Sequence, residues 1–185
     1  TSSAASDVYK RQPISERTRL GLTYLPQESS IFKGLTVEAN IFSALEQRKD
    51  LNHKERQKEL DSLLRDFGLH ELSKTLGIKL SGGERRRTEI ARSVASNPSF
   101  ILLDEPFAGI DPIAVSDLKS IINSLNEKRI GVVISDHNVR DTMKICTKVL
   151  IVNKGKIIAN GEPSEIANDK LVREIYLGQD FETEL

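Results

Sequence analysis

Two adjacent carboxylates, Asp104 and Glu105, come directly after the apolar run FILL at residues 100–103. A short continuous apolar run of this kind predicts a strand that is buried on both faces of a parallel sheet. Ligands of open α/β sheets bind at the carboxyl ends of the strands, so both carboxylates are expected at a binding edge. Asp104 could hold Mg²⁺ there while Glu105 polarises an attacking water. The alternative is that the acidic pair only caps the next turn.

The turn LSGGE, formed by Leu80, Ser81, Gly82, Gly83 and Glu84, is a second candidate for binding chemistry. Its serine and glutamate have the spacing of a capping box, which predicts that a helix begins here. The two glycines let backbone N–H groups approach a ligand, and the positive end of a helix favours a terminal phosphate. Taken alone, a Ser-Gly-Gly sequence is also a common turn.

Other polar side chains stand near these two features. Arg85, Arg86 and Arg87 could form a solvated helix face or contact a phosphate or a partner. Gln27 and His137 each follow a predicted strand. The amide oxygen of Gln27 could reach a metal or a water, and His137 could bond a γ-phosphate or the attacking water. A surface glutamine and a structural loop histidine are the alternatives.

The strands and helices that must position these residues can be predicted from the sequence. Apolar runs predict three buried strands, at 20–27, 100–104 and 130–135. Residues 28–98 are mostly helical, with Thr36 as one cap. Four further helices are predicted: Ser81 to about Ser96, 112–128 after Asp111 and Pro112, about 138–146, and a short helix capped by Ser164. Residues 148–162 predict a hairpin, and 173–185 a weakly structured end.

The composition limits the class of protein. The chain has 185 residues, with 27 Lys and Arg against 27 Asp and Glu, so its formal net charge is zero. A balanced charge argues against a general nucleic-acid binder. One cysteine, Cys146, excludes an internal disulfide and fits a reducing compartment. No apolar run approaches the roughly 18–20 residues that cross a bilayer. The alternation of strand and helix predicts an α/β fold with a parallel sheet.

The order of these motifs is more specific than any one of them. A strand ending in Gln27, a helical insert, LSGGE at 80–84, FILLDE at 100–105, AGID at 108–111, and a further strand followed by His137 make one pattern. This pattern resembles the ATP-binding-cassette (ABC) ATPases. The resemblance implies a P-loop NTPase-like parallel sheet core, incomplete in this chain, with an inserted α-helical subdomain. It implies the following division: an ABC ATPase domain at 13–185, with a helical subdomain at about 28–98, a catalytic α/β part at about 99–160 and a tail at about 161–185.

The resemblance also implies roles for individual residues. The catalytic residues would be Glu105, as general base or water-orienting group, and His137, as a sensor of the γ-phosphate. Mg²⁺ would be held by Asp104 and Gln27. ATP would be contacted by Gln27, by the LSGGE turn and by Asp111 of the D-loop.

Partners follow from the same resemblance. Two cassettes would form a homodimer, in which the LSGGE turn of one subunit faces the γ-phosphate held by the other. Membrane permease subunits would dock in a groove near residues 27–50, on the cytoplasmic face of a bacterial inner membrane, and no nucleic acid is expected. The groove could also be the core of the insert itself; its apolar residues are Ile31, Phe32, Leu35, Ile41 and Phe42.

One motif of a complete cassette does not occur in the chain, because no GxxxxGK[ST] loop is present. We therefore expect roughly 60–70 upstream residues of a cassette to be missing. Residues 1–12 would then be a non-native or disordered leader. Without the P-loop donors this chain alone should neither bind ATP usefully nor hydrolyse it. The sheet would also expose apolar faces.

Within the family, several stretches resemble the ATPases of lipopolysaccharide-export systems, among them LSGGERRRTEIARSVA and DEPFAGIDPIAV. Glu84 in place of the more common glutamine fits that subgroup. ATPases of branched-chain amino-acid or other small-solute importers are the nearest alternative. A non-catalytic binding module is the alternative from another class of protein.

Overall fold

The structure, a computed structural model, describes residues 13–177. The predicted leader at 1–12 and the end of the predicted tail, 178–185, lie outside the described residues. The chain divides into two compact units at the bond between Ser135 and Asp136. The first unit contains these elements: α1 (Ile14–Arg19), β1 (Leu22–Leu25), α2 (Val37–Leu45), α3 (His53–Asp66), α4 (Gly82–Ala95), β2 (Phe100–Asp104), α5 (Pro112–Glu127) and β3 (Gly131–Ser135).

The first unit is built on a parallel sheet of three strands in the order β1-β2-β3. The register pairs Leu25 with Leu103 and Asp104 with Ser135, so all three strands end at one edge. Helix α4 packs against β1 and helix α5 against β3. This confirms the predicted α/β fold with a parallel sheet, and it places the acidic pair at the carboxyl edge.

The prediction that the strand at 100–104 is buried on both faces is wrong. Ile101 and Leu103 are fully buried, whereas Phe100 on the same strand is 54% exposed. Tyr24 and Val133, at 41% and 50%, share the face of Phe100 because neighbouring residues of the parallel strands lie in register. Among the described residues, helices therefore cover one face of the sheet only. The expected exposure of an apolar sheet face is observed.

Helices α2, α3 and α4 lie in the chain between β1 and β2, as the sequence predicts. Thr36 caps α2, because its Oγ1 accepts a hydrogen bond of 3.2 Å from the backbone N–H of Ala39. Apolar residues at helical spacing on all three helices form the buried interior of this insert, among them Val37, Ile41, Leu45, Leu63 and Ile90. The three helices thus pack on one another, and the LSGGE turn lies at the start of the last of them.

The caps of α4 and α5 form as predicted. Ser81 Oγ accepts from the backbone N–H of Glu84, and Glu84 Oε2 accepts from the backbone N–H of Ser81 at 2.8 Å, which completes the capping box. Asp111 Oδ1 accepts from the backbone N–H of Ala114 at 2.9 Å, with Pro112 in the first helical turn. These caps fix where the LSGGE turn and the D-loop end.

The second unit contains α6 (Val139–Met143), the antiparallel hairpin β4 (Val149–Asn153) and β5 (Lys156–Gly161), α7 (Pro163–Asn168) and the short α8 (Lys170–Val172). The hairpin confirms the prediction. Apolar residues of all these elements form a separate core, which includes Met143, Ile151, Ile166 and Val172.

Three expectations for the second unit are wrong in detail. The helix predicted to reach residue 146 ends at Met143. The cap of α7 is Glu162 and not Ser164, because Pro163 has no N–H and occupies the first helical position, which leaves Ser164 inside the helix. Residues Arg173–Leu177 form a π-helical turn, although the sequence predicts weak structure there.

The tightest contact between α4 and α5 is at Gly83, and it yields a prediction. A Cβ added at Gly83 would lie 2.6 Å from the Cβ of Ala114, well inside van der Waals contact. Gly83→Ala should lower the free energy of unfolding by about 1–3 kcal/mol, measured by urea denaturation. Adding Ala114→Gly should recover most of that loss, because it removes the opposing methyl group.

Gly82→Ala is the matched control for this cycle. A Cβ at Gly82 meets only the carbonyl oxygen of Gly109, at 3.4 Å, which is an ordinary contact. It should cost much less than Gly83→Ala. Equal costs at the two glycines, or no recovery in the double variant, would contradict the packing of α4 on α5.

Candidate functional site

Asp104, at the end of β2, is held by a hydroxyl from each neighbouring strand. Tyr24 on β1 donates to Asp104 Oδ2 at 3.0 Å, and Ser135 on β3 donates to Asp104 Oδ1. The Ser135 hydroxyl and then the Tyr24 hydroxyl stabilise the carboxylate, so the pKa of Asp104 lies below its ordinary value of 3.8. Asp104 is therefore an anion at neutral pH, fixed in direction by two hydrogen bonds.

Glu105 directly follows the strand in an uncommon backbone conformation. Its φ is +40°, in the left-handed region that side chains other than glycine rarely adopt. Its backbone N–H donates to the carbonyl oxygen of Ser135 at 2.8 Å. Gln27 Nε2, from the end of β1, donates to Glu105 Oε2 at 2.7 Å. The structure thus brings three predicted site residues together at one edge of the sheet, Gln27, Asp104 and Glu105.

The LSGGE turn and the D-loop contact each other. Gly82 approaches the carbonyl oxygen of Gly109, and Gly83 approaches Ala114 on α5. Leu80 is 4% exposed and anchors the turn in the core, while the carboxylate of Glu84 is bonded within the capping box. Ser81 and Gly82 are exposed. The N-terminus of α4 therefore presents its first residues to solvent beside the capped start of α5.

His137 belongs to the second unit. Its side chain is 76% exposed, and its Nδ1 lies 3.8 Å from Asp136 Oδ1. Within the first unit, the clustered residues are the three at the sheet edge. Among residues 13–177 no group of three His, Cys, Asp or Glu side chains forms a metal cluster. Mg²⁺ in nucleotide sites needs only one or two carboxylates, because phosphates and waters supply the other ligands.

The sequence left two readings open for the three arginines, and Arg86 fits neither. Arg86 is 6% exposed, and its Nη2 donates to the carbonyl oxygen of Asp104 at 2.9 Å, while its Nη1 donates to that of Pro26 at 2.8 Å. Arg85 donates to the carbonyl oxygen of Leu80. Arg87 contacts a carboxylate of α5, that of Asp117, at 3.4 Å. All three are bonded within the first unit.

Three residues of the site were not predicted from the sequence: Glu89, Tyr24 and Ser135. Glu89 is 2% exposed and lies 3.4 Å from Arg86 Nη1, one turn away on α4. Both charged residues occupy the buried face of an amphipathic helix, and that position is the signal that marks them. Tyr24 and Ser135 would need the strand register, because only the pairing of β1, β2 and β3 brings their hydroxyls to Asp104.

Comparison with known proteins identifies the class. The family model described as ABC transporter matches residues 3–108, and one described as branched-chain amino acid ATP-binding cassette transporter matches residues 156–182. The chain belongs to the ABC transporter family, in which it is the ATP-binding subunit of a transporter. No helix among the described residues has the length and apolar character to cross a membrane.

Individual relatives are more specific. The chain is 52% identical to the lipopolysaccharide export system ATP-binding protein LptB of Haemophilus influenzae, over 91% of this chain and 70% of the relative. It is 50% identical to LptB of Escherichia coli K12, with the same coverage. The chain is also 50% identical to a probable ABC transporter ATP-binding protein of Azorhizobium caulinodans, over 91% of this chain and 60% of that relative.

Solved structures agree on the fold. An ATP-binding cassette of an ABC transporter in its ADP conformation matches with a TM-score of 0.75 at 24% identity, over 91% of this chain and 72% of that one. A nucleotide-free cassette matches with a TM-score of 0.75 at 25% identity, over 91% and 73%. The P-loop NTPase-like α/β fold expected from the sequence is confirmed.

The hydrogen bonds on Asp104 predict how its pKa responds to substitution. Ser135→Ala and Tyr24→Phe should each raise the pKa of Asp104 toward 3.8, with the larger rise in Ser135→Ala, because the serine bond is the larger cause. Since the folded-state pKa is lowered, the stability contributed by Asp104 is present above about pH 4 and is lost as the pH falls. Titration of the side-chain carboxyl carbon by NMR measures the shift.

Ser120→Ala serves as control, because Ser120 bonds only the carbonyl oxygen of Ser116 on its own helix. It should leave the Asp104 titration unchanged. An unaltered Asp104 pKa in both Tyr24→Phe and Ser135→Ala would mean that the two hydroxyls do not hold the carboxylate.

Proposed function

We propose that the chain is part of an ATPase subunit that drives lipopolysaccharide export from a bacterial inner membrane. The single observation that carries the ATPase role is the contact of 2.7 Å between Gln27 and Glu105, beside the anionic Asp104. These residues lie just beyond the ends of two strands that end at the same edge, where nucleotides bind in open α/β sheets. The identity of 50–52% to LptB proteins supports the cargo.

The geometry supports distinct roles at the sheet edge. Asp104, with both oxygens bonded to hydroxyls and its charge retained at neutral pH, suits Mg²⁺, which prefers hard oxygen ligands. The amide oxygen of Gln27 is a second ligand of the same type. Bound Mg²⁺ neutralises charge on transferring phosphates. Glu105, held by Gln27, orients the attacking water as general base. For His137 the proposed role as sensor of the γ-phosphate rests on the order of the sequence motifs alone.

The LSGGE turn supports a homodimer. Ser81 and Gly82 are exposed at the N-terminus of a helix of 14 residues, where backbone N–H groups and the helix dipole favour an anion. Because Gly82 and Gly83 pack on the D-loop and α5, the turn and Asp111 face a second subunit as one body. Each subunit then completes the ATP site of the other, and a two-fold axis forms both sites together.

The surface near residues 27–50 supports docking of a permease. Phe32 and Leu35 are 52% and 40% exposed, whereas Ile31 and Ile41 are buried in the insert and Phe42 is half-buried. Phe32 and Leu35 are therefore accessible to a partner, whereas Ile31 and Ile41 belong to the core of the insert. A short apolar helix of a membrane subunit could pack on Phe32 and Leu35, which would place the ATPase on the cytoplasmic face of the membrane.

Import of branched-chain amino acids is a second candidate. The match of residues 156–182 to the branched-chain amino acid cassette model favours it. The two functions share the ATPase site and differ in the membrane subunits, so residues of the sheet edge do not separate them.

The role of Glu105 is testable in a completed chain, defined as this chain joined to the part of the Haemophilus influenzae LptB sequence that it does not cover. Glu105→Gln should lower kcat for ATP hydrolysis by about 100-fold or more, because the general base is lost. ATP binding should persist, so the variant should elute as an ATP-bound dimer in size-exclusion chromatography. Release of phosphate measures turnover.

Glu127→Gln is the matched control, since Glu127 is exposed at the end of α5. It should hydrolyse ATP like the completed chain. Normal turnover in Glu105→Gln would remove Glu105 from the catalytic role.

The cargo is testable by genetic complementation. The completed chain should restore growth of Escherichia coli depleted of LptB, because its identity to that protein is 50%. The Glu105→Gln form should not restore growth. If the completed chain instead restored branched-chain amino-acid uptake in a strain that lacks an importer ATPase, the second candidate would replace the first.

A further inference from the structure

We propose that Glu89 is a positioning residue of the ATPase reaction, which fixes Gln27 by tying the loop after β1 to helix α4; this rests on the ATPase function proposed above. Glu89 is 2% exposed, on the face of α4 that is turned into the protein. It lies 62 positions beyond Gln27 in the sequence, and no motif marks it.

One oxygen of Glu89 collects three donors from the loop. Oε1 accepts from Ser29 Oγ at 2.8 Å, from the backbone N–H of Ser30 at 2.8 Å and from the backbone N–H of Ile31 at 3.1 Å. A buried carboxylate needs such donors, because its burial without them is costly. The side chain of Glu89 therefore holds the backbone of the loop that follows Gln27.

The other side of Gln27 is held from the same helix. Arg86 donates to the carbonyl oxygen of Pro26 and lies 3.4 Å from Glu89 Oε2. Gln27 thus stands between two anchored points, Pro26 before it and the Ser29–Ile31 segment after it, and both anchors are on α4. Arg86 also donates to the carbonyl oxygen of Asp104, so α4 holds Asp104 and Gln27 in fixed positions relative to each other.

A third residue of α4, Arg92, also holds the loop, next to the exposed Phe32. Arg92 Nη2 donates to the carbonyl oxygen and to the hydroxyl of Ser30, at 2.9 and 2.8 Å. The guanidinium of Arg92 also lies 4.8 Å from the ring centroid of the exposed Phe32. A displacement of Phe32 by a bound partner would therefore reach α4 and the LSGGE turn at its start through Glu89 and Arg92.

The test uses substitutions at Glu89 in the completed chain. Glu89→Ala removes all three loop bonds and should lower kcat about tenfold, because Gln27 loses its position relative to Glu105. KM for ATP should change by less than about twofold, since Glu89 is buried within the first unit. Glu89→Gln keeps an oxygen for the three donors but removes the charge that pairs with Arg86, so its kcat should fall, by less than the tenfold loss of Glu89→Ala.

Surface substitutions keep the test decisive if Glu89→Ala fails to fold. Ser29→Ala removes one of the three bonds from an exposed residue and should lower kcat about threefold. Ser120→Ala, which removes a hydroxyl bonded to its own helix, should have no effect. An unchanged kcat in Ser29→Ala and Glu89→Ala, or an equal loss in Glu89→Gln and Glu89→Ala, would overturn the proposal.

Amide hydrogen exchange separates this inference from the ATPase function itself. The N–H groups of Ser30 and Ile31 should be protected in the completed chain and should exchange about tenfold faster in Glu89→Ala, but not in Glu89→Gln. If the completed chain does not hydrolyse ATP, the proposed function fails, while the exchange rates still decide whether Glu89 anchors the loop. Unprotected amides in the completed chain would disprove the anchoring.

Discussion

The buried pair of Arg86 and Glu89 is the interaction on which the geometry of the first unit depends. Two charges removed from water are costly, and their mutual attraction offsets that cost only when the remaining polar atoms are bonded as well. Here the carbonyl oxygens of Pro26 and Asp104 and the donors of the Ser29–Ile31 segment supply those bonds. The ends of β1 and β2, the loop after β1 and helix α4 consequently hold fixed positions relative to one another. A packed apolar side chain in place of either charge would give no such directional control.

At the sheet edge, hydrogen bonds fix one further charged side chain, that of Asp104. The three parallel strands end together. The middle strand, β2, carries the carboxylate of Asp104, and each neighbouring strand donates one hydroxyl to it, Tyr24 from β1 and Ser135 from β3. Because these residues share one face, the pairing register determines whether the hydroxyls meet Asp104. A shift of one residue in β1 or β3 would turn the hydroxyl to the opposite face.

Local signals carried much of the sequence prediction. The capping box at Ser81, the Asp111 cap and the hairpin depend on neighbouring residues, and all three form. Burial was predicted less well, because an apolar strand such as FILLD does not record which face is covered, and Phe100 is exposed. The burial of Arg86 and Glu89 was not predicted, for a related reason. Charged residues on a helix usually face water, and only long-range partners 58 to 60 positions away explain their burial.

The backbone of Glu105 carries a conformational cost that bears on how this sheet edge can change. A residue with a side chain at a φ of +40° sits roughly 1 kcal/mol or more above the conformations it prefers, and the bonds of its N–H and carboxylate hold it there. Glycine would occupy the same position without that penalty and would lose the carboxylate. Under the role proposed for Glu105, stability and turnover make opposite demands on this position, and selection for heat resistance alone would favour replacing the acidic side chain.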